Sequence, residues 1–294
     1  MKRTLVTVSV ALLGCGGGDS APATTAGSGY ALTQTPPVPQ RVALNDNVRS
    51  LVVYREERAG AARDTTRCGL QTALFDATVA SSVVPAAIDA ASDCRFYASA
   101  PETDFQRMRW VCAGAVNVVA GTLMQNVGLC PSAGATVRWD SLLTSCGTLG
   151  ADRSASLSSM DEGIPGDSVT DLAATARLPS AVVISAPSTL PVTTWPASGD
   201  LVVQWSSSDA TSALVRLEPD AASDPATTPT IICVAHTAGQ VTVPAALITQ
   251  GNFRTFDARL HVWSFRDGTT TAEGGRTYRV SGAASSSVVL QVHR

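Results

Sequence analysis

Along the last third of the chain, apolar and polar residues alternate with the period of two that marks a half-buried strand. Leu201, Val203 and Trp205 fall on one face with Gln204 and Ser206 on the other, and Phe256, Ala258, Leu260 and Val262 repeat the pattern. Residues 181–185, 201–206, 213–218, 230–235, 240–243, 255–265 and 286–292 therefore read as seven short strands separated by turn formers. That number and spacing predict an antiparallel sandwich. Parity makes the expectation specific, because a slip of one residue turns a whole strand inside out. Trp205 should be buried against Leu260 or Val262. Trp263, out of phase with both, should lie on the opposite face and be partly accessible.

Upstream the pattern is shorter and more broken. Val48 to Val53, Val116 to Val119 (led in by Arg109 to Cys112) and Thr136 to Trp139 read as strands, punctuated by turns such as "GLCPSAG" and "CGTLG". Two sets carry helical spacing instead: Leu70, Ala73, Leu74 and Ala77, and Val169, Leu172, Ala173 and Ala176 before Pro179. Asp167 or Ser168 could cap the second. The expected fold class is mostly β. A β-rich, disulfide-containing domain over 48–178 precedes a sandwich over 179–294.

The first residues follow a different logic. Met1-Lys2-Arg3 is followed by an apolar run from Leu5 to Leu13, the layout of a secretory signal. The run is shorter than the ~20 residues a spanning helix needs, and no later segment approaches that length. Residues 16–47 are rich in Gly, Ser, Thr, Ala and Pro, and bury too little apolar surface to offset the entropy of ordering them. They read as a tether with a mean reach of roughly 30 Å. Leu12-Leu13-Gly14-Cys15 resembles the lipobox of bacterial lipoproteins. The resemblance implies that 1–14 is removed, that Cys15 is acylated through its sulfur and begins the mature chain, and that 15–47 tethers the body. Gly16 behind the cysteine, rather than Asp, implies outer-membrane sorting within that family.

Cysteine number supports this assignment. Seven cysteines leave one over in a secreted chain, and giving Cys15 to lipid leaves an even set: Cys68, Cys94, Cys112, Cys130, Cys146 and Cys233. In an oxidising compartment such a set reads as disulfides. Connectivity does not follow from sequence, although short spacing favours Cys94–Cys112 and Cys130–Cys146.

Charge and motifs then narrow the chemistry. The net charge of −3 becomes −5 once Lys2 and Arg3 leave with the signal, and no other lysine exists in the chain. Lysine Schiff-base chemistry is thereby excluded, and no basic patch for nucleic acid is expected. Gly166-Asp167-Ser168-Val169 resembles the nucleophile block of the GDSL esterases. That family requires a late Asp-x-x-His, and the residues three before His236, His261 and His293 are Cys233, Ala258 and Leu290. A serine without a base is a poor nucleophile, so Ser168 reads as a cap or turn. Cys233-x-x-His236 on a strand would point to opposite faces and not converge on a metal. Met160 to Asp167, "MDEGIPGD", reads as a solvated acidic loop. No catalytic residue, cofactor or metal site is expected.

The C-terminal segment, about Pro179 to Arg294, resembles fibronectin type III and immunoglobulin-like modules. The residues that carry the likeness are Trp205 in "DLVVQWSS", Leu247 in "VPAALI" and Phe256 in "TFDARLHVW". It implies a fold and little about activity. One face remains of interest: Arg259, His261 and Trp263 alternate opposite Leu260, and if open to solvent they could stack on a sugar or a partner side chain. The expected function is a lipid-anchored outer-membrane protein, facing the periplasm or the cell surface, with a structural role or a role in binding a glycan or envelope protein. The alternative is a secreted hydrolase acting on envelope polymers or glycans.

Overall fold

The structure, a computed structural model, describes residues 51–58, 65–73, 89–91, 93–98, 114–129, 138–143, 145–149, 153–159, 172–187, 192–196, 198–220, 228–235, 239–271, 275 and 277–292. The expected signal, Cys15 and the tether lie outside them, as do Cys112, Cys130, Ser168, His236, His293 and the acidic loop 160–167.

Strand content dominates. The first group comprises β1 (Leu51–Arg58), β2 (Thr65–Ala73), β3 (Asp89–Ala91), β4 (Cys94–Tyr97), β5 (Gly114–Ala120) and β6 (Leu123–Leu129). After them come β7 (Arg138–Leu143), β8 (Ser154–Ser159), β9 (Ala173–Arg177), β10 (Val183–Ala186), β11 (Val192–Thr194) and β12 (Leu201–Ser206). The last are β13 (Ser212–Pro219), β14 (Thr230–Ala235), β15 (Gln240–Val243), β16 (Ala258–Thr271) and β17 (Thr277–Gln291), with one short helix, α1 (Ala245–Gln250), between β15 and β16.

Three sheets organise these strands. The largest has ten, in the order β3-β4-β14-β13-β16-β17-β1-β2-β7, with β11 also paired to β17. A sheet of three, β10-β12-β15, and a sheet of four, β6-β5-β8-β9, pack against it. Most neighbours are antiparallel. β17 departs from the antiparallel expectation by taking two parallel partners on one edge: β1 along Val280 to Ser285 and β11 along Val289 to Gln291.

The three-stranded sheet facing β14-β13-β16-β17 is the expected sandwich, with the strand order of immunoglobulin-like folds. β12 alternates buried and exposed along its whole length because one of its faces is core and the other is solvent. Its Leu201, Val203 and Trp205 share one core with Leu260 and Val262, as parity required. α1 closes one end of that core with Leu247 and Ile248, and Asp200 Oδ1 accepts a hydrogen bond from the first helical amide, Ala245 N, at 2.8 Å.

The second core lies beside the first, on the same face of the long sheet. β16 and β17, 14 and 15 residues long, extend past the first sandwich, and β17 carries both cores on its even-numbered positions. Tyr278 and Val280 pack with Leu51, Val53, Leu70, Val116, Val118 and Leu157. Ala284, Val288 and Leu290 belong to the first core. Gly282 stands between the two sets, where the link from β9 to β10 crosses the sheet. A Cβ there would lie 1.6 Å from the Arg177 carbonyl oxygen, so only glycine admits the crossing.

Several expectations change at this level. The boundary at residue 178 is not a break in the sheet, since β1 and β4 from the first segment hydrogen-bond to β17 and β14 of the second. Both helical readings fail where they can be seen: Leu70 and Ala73 lie in β2, and Ala173 and Ala176 in β9. In β9 the burial alternates strictly, with Ala174 and Ala176 facing the core, so alanines that also suit a helix here serve as small inward strand residues. Among the described residues the disulfides are Cys68–Cys146 and Cys94–Cys233, not the local pairs expected from spacing. Cys94 and Cys233 are register partners across β4 and β14. Cys68 on β2 meets Cys146 in a 3-10 turn, Cys146–Leu149, over the second core. Strand pairing between distant segments, not sequence distance, selected the partners.

Candidate functional site

The face of the long sheet opposite both cores carries the residues singled out for binding. Arg259, His261 and Trp263 do share that face, out of phase with Leu260 and Val262. They are not open to solvent, however: their exposures are 8%, 4% and 2%. The expected accessibility of Trp263 is therefore wrong. Phase places Trp263 on the face opposite Leu260 and Val262, but both faces of β16 are covered along its first eight residues, so neither phase reaches water. Trp263 packs in a third apolar cluster with Val52, Tyr54, Tyr97, Leu214, Ile232, Phe265 and Ala283.

What the pattern missed lies on the neighbouring strand. β13 places Arg216 and Glu218 two residues apart on this same face, and the register sets Arg216 opposite His261 and Glu218 opposite Arg259. Arg216 Nη2 lies 2.5 Å from Glu218 Oε2, and His261 Nε2 lies 3.3 Å from Glu218 Oε1. Just past the end of β13, Asp220 Oδ1 accepts from Arg259 Nε at 2.7 Å and lies 2.6 Å from its Nη2. Arg259 Nη1 reaches Ser287 Oγ on β17 at 3.3 Å. The alternation Arg216-Leu217-Glu218-Pro219-Asp220 was legible as a charged face. Its partners across the sheet were not.

Burial governs the electrostatics of this cluster. Glu218 is 2% exposed, and an ionised carboxylate taken from water into such a place loses its hydration. That loss pushes its carboxyl up to about 8; the Arg259 guanidinium pulls the other way and the Asp220 carboxylate adds to the rise. At neutral pH the carboxyl consequently holds its proton, and a protonated carboxyl can donate as well as accept. Burial also raises the Tyr97 hydroxyl above its ordinary value, with Arg95 opposing.

No family model, curated protein or solved structure matches the chain. The site is thus read from its own geometry. Among the described residues, no group of three or more His, Cys, Asp or Glu is placed to hold a metal ion. Cys233, half of the weighed Cys-x-x-His pair, is spent in a disulfide. The cluster of Arg216, Glu218, Arg259, His261 and Asp220 can hold a proton and lock three strands together. Glu218, Arg259 and His261 are buried, and Arg216 and Asp220 are partly exposed at the margin of the cluster.

Proposed function

We propose that the chain is a lipid-anchored protein of the bacterial outer membrane with a structural or partner-binding role in the envelope. The observation that carries this reading is Leu12-Leu13-Gly14-Cys15 at the end of a short apolar run and at the head of a Gly/Ser/Thr/Pro-rich tether. The two disulfides support it, because such bonds persist in oxidising compartments outside the cytosol. Among the described residues no helix is long and apolar enough to cross a membrane, and acylation supplies an anchor of a different kind. A single acyl chain binds only marginally, so durable anchoring requires more than one.

Replacement of Cys15 by Ser tests the reading. With metabolic labelling by an alkynyl fatty acid, the wild-type chain should take up label and fractionate with membranes. Cys15→Ser should lose the label and move to the soluble fraction. Equal membrane retention of the two would remove the proposal.

A further inference from the structure

The two disulfides of the described residues stand in unequal relation to solvent. Cys94 and Cys233, opposed across β4 and β14, are both buried in the first core. Cys94 Sγ lies 3.5 Å from the Thr242 carbonyl oxygen on β15, so that bond is enclosed between the two packed sheets. Cys68 is likewise buried, on β2 in the second core. Its partner differs. Cys146 is only partly buried against that core, and the residues on either side of it, Ser145 and Gly147, are exposed. Register explains the place. β7 is the outermost strand of the long sheet, and its last residue, Leu143, stands opposite Cys68. Three residues further on, Cys146 has come to within 5.1 Å of Cys68 between Cα atoms. Ser145 holds the 3-10 turn there: Gly147 N donates to its Oγ at 3.1 Å and Thr148 N to its carbonyl oxygen at 3.1 Å. Leu149 anchors the far end of the turn in the second core.

Exchange of a disulfide is a displacement in which a thiolate attacks one sulfur in line with the bond and the other sulfur leaves, so access to the attacked atom decides the rate. Attack on Cys146 with Cys68 leaving brings the attacker from the solvent side. Attack on Cys68 would bring it through the second core, and neither sulfur of Cys94–Cys233 has an approach from water. We infer that Cys146 is a thiol-exchange site, the sulfur at which a dithiol of the kind carried by protein oxidoreductases engages this chain. The thiolate of the dithiol bonds to Cys146 Sγ, and Cys68 leaves as a thiolate and takes up a proton. The second thiolate of the dithiol then displaces the Cys146 sulfur, which is protonated in turn. The dithiol is oxidised to a disulfide by two electrons, and Cys68 and Cys146 are reduced to thiols. Run backwards with an oxidised partner, the same steps install the bond. Cys94–Cys233 becomes available to either reaction only when the first core opens.

Timed reduction of the full chain tests the inference without reference to Cys15. The native, oxidised protein is treated with dithiothreitol, and samples are quenched with N-ethylmaleimide, denatured, fully reduced, capped with iodoacetamide and digested with trypsin. Cys146 falls in Trp139–Arg153 and Cys233 in Leu217–Arg254, while Cys68 and Cys94 share Cys68–Arg95, where fragment ions tell them apart. Cys68 and Cys146 should take up maleimide together, at least about tenfold sooner than Cys94 and Cys233. In guanidinium, with the fold gone, the two bonds should open at rates within about twofold of each other. Glutathione, a single thiol, should be trapped on Cys146 of the native chain and not on Cys68. Equal rates in the native chain, earlier opening of Cys94–Cys233, a difference that persists in guanidinium, or glutathione on Cys68 would each overturn the inference.

Discussion

Glu218 shows how a single side chain can set the pH response of the whole fold. Its carboxyl rises from an ordinary 4.5 to about 8 on folding, chiefly through burial. Between those values the folded chain holds a proton that the unfolded chain has released. Stability therefore falls as pH rises through that interval and levels off above it. The same group imposes no penalty below about 4.5, where both states are protonated. Thermal melts from pH 5 to pH 9 should show a declining midpoint in the wild-type chain. Glu218→Gln, isosteric and neutral throughout, should flatten that decline while keeping the Arg216 and His261 contacts occupied. A slope unchanged by the substitution would assign the pH response to other groups.

At the scale of elements, the β16–β17 hairpin is the spine on which the rest is arranged. Fourteen residues of β16 at about 3.4 Å each span nearly 50 Å, enough to run under two cores. Gly282 is the point on β17 where the two packed sheets meet and the chain crosses between them. Leu178 N donates to Arg153 O at 3.0 Å, and Thr270 Oγ1 to Ala173 O, so the crossing is tied on both sides. Gly282→Ala would drive a methyl group into the backbone at Arg177 and Leu178, where no side-chain rotation relieves it. Overpacking of a well-filled interior costs about 1–3 kcal/mol and sometimes more. A loss of about 3 kcal/mol or above is expected here, read from the midpoint of denaturant unfolding. An effect below about 1 kcal/mol would show that the seam is looser than the geometry implies.

The whole molecule is two sandwiches that do not separate along the sequence. The chain enters the second core with β1 and β2, visits the edge of the first sandwich with β3 and β4, and returns for β5 to β9. It then builds the first sandwich and closes both with β16 and β17. Cys94–Cys233 spans 139 residues and Cys68–Cys146 spans 78, and each bond ties one of the two cores. A fragment of residues 179–294 would leave Cys233 without Cys94, uncover the outer edge of β14 and strip β1 from β17. Unpaired strand edges of this kind invite aggregation. The fragment should be insoluble or give poorly dispersed amide resonances, while residues 48–294 should be soluble and well dispersed. A stable monomeric fragment would restore the boundary at 178.

How much of this was legible follows from how far each signal reaches. Seven of the eight described C-terminal strands, all but the short β11, and the opposite phases of Trp205 and Trp263 are local facts, written in a period of two that sequence carries directly. The expected signal and tether lie outside the described residues, and the expectations about compartment rest on them and on cysteine number. The alanine-rich segments at Leu70 and Ala173 were ambiguous, because alanine suits a helix intrinsically and became strand only when a core formed beside it. The polar run Arg266-Asp267-Gly268-Thr269-Thr270-Thr271 lies beyond the strand expected to end at residue 265, yet it continues β16 because β17 pairs with it throughout. Disulfide partners, the two parallel neighbours of β17 and the burial of Arg259, His261 and Trp263 were decided by the tertiary structure alone. Each depends on which distant strand lies alongside, and hydrogen bonds between strands leave no mark on the local pattern of either one.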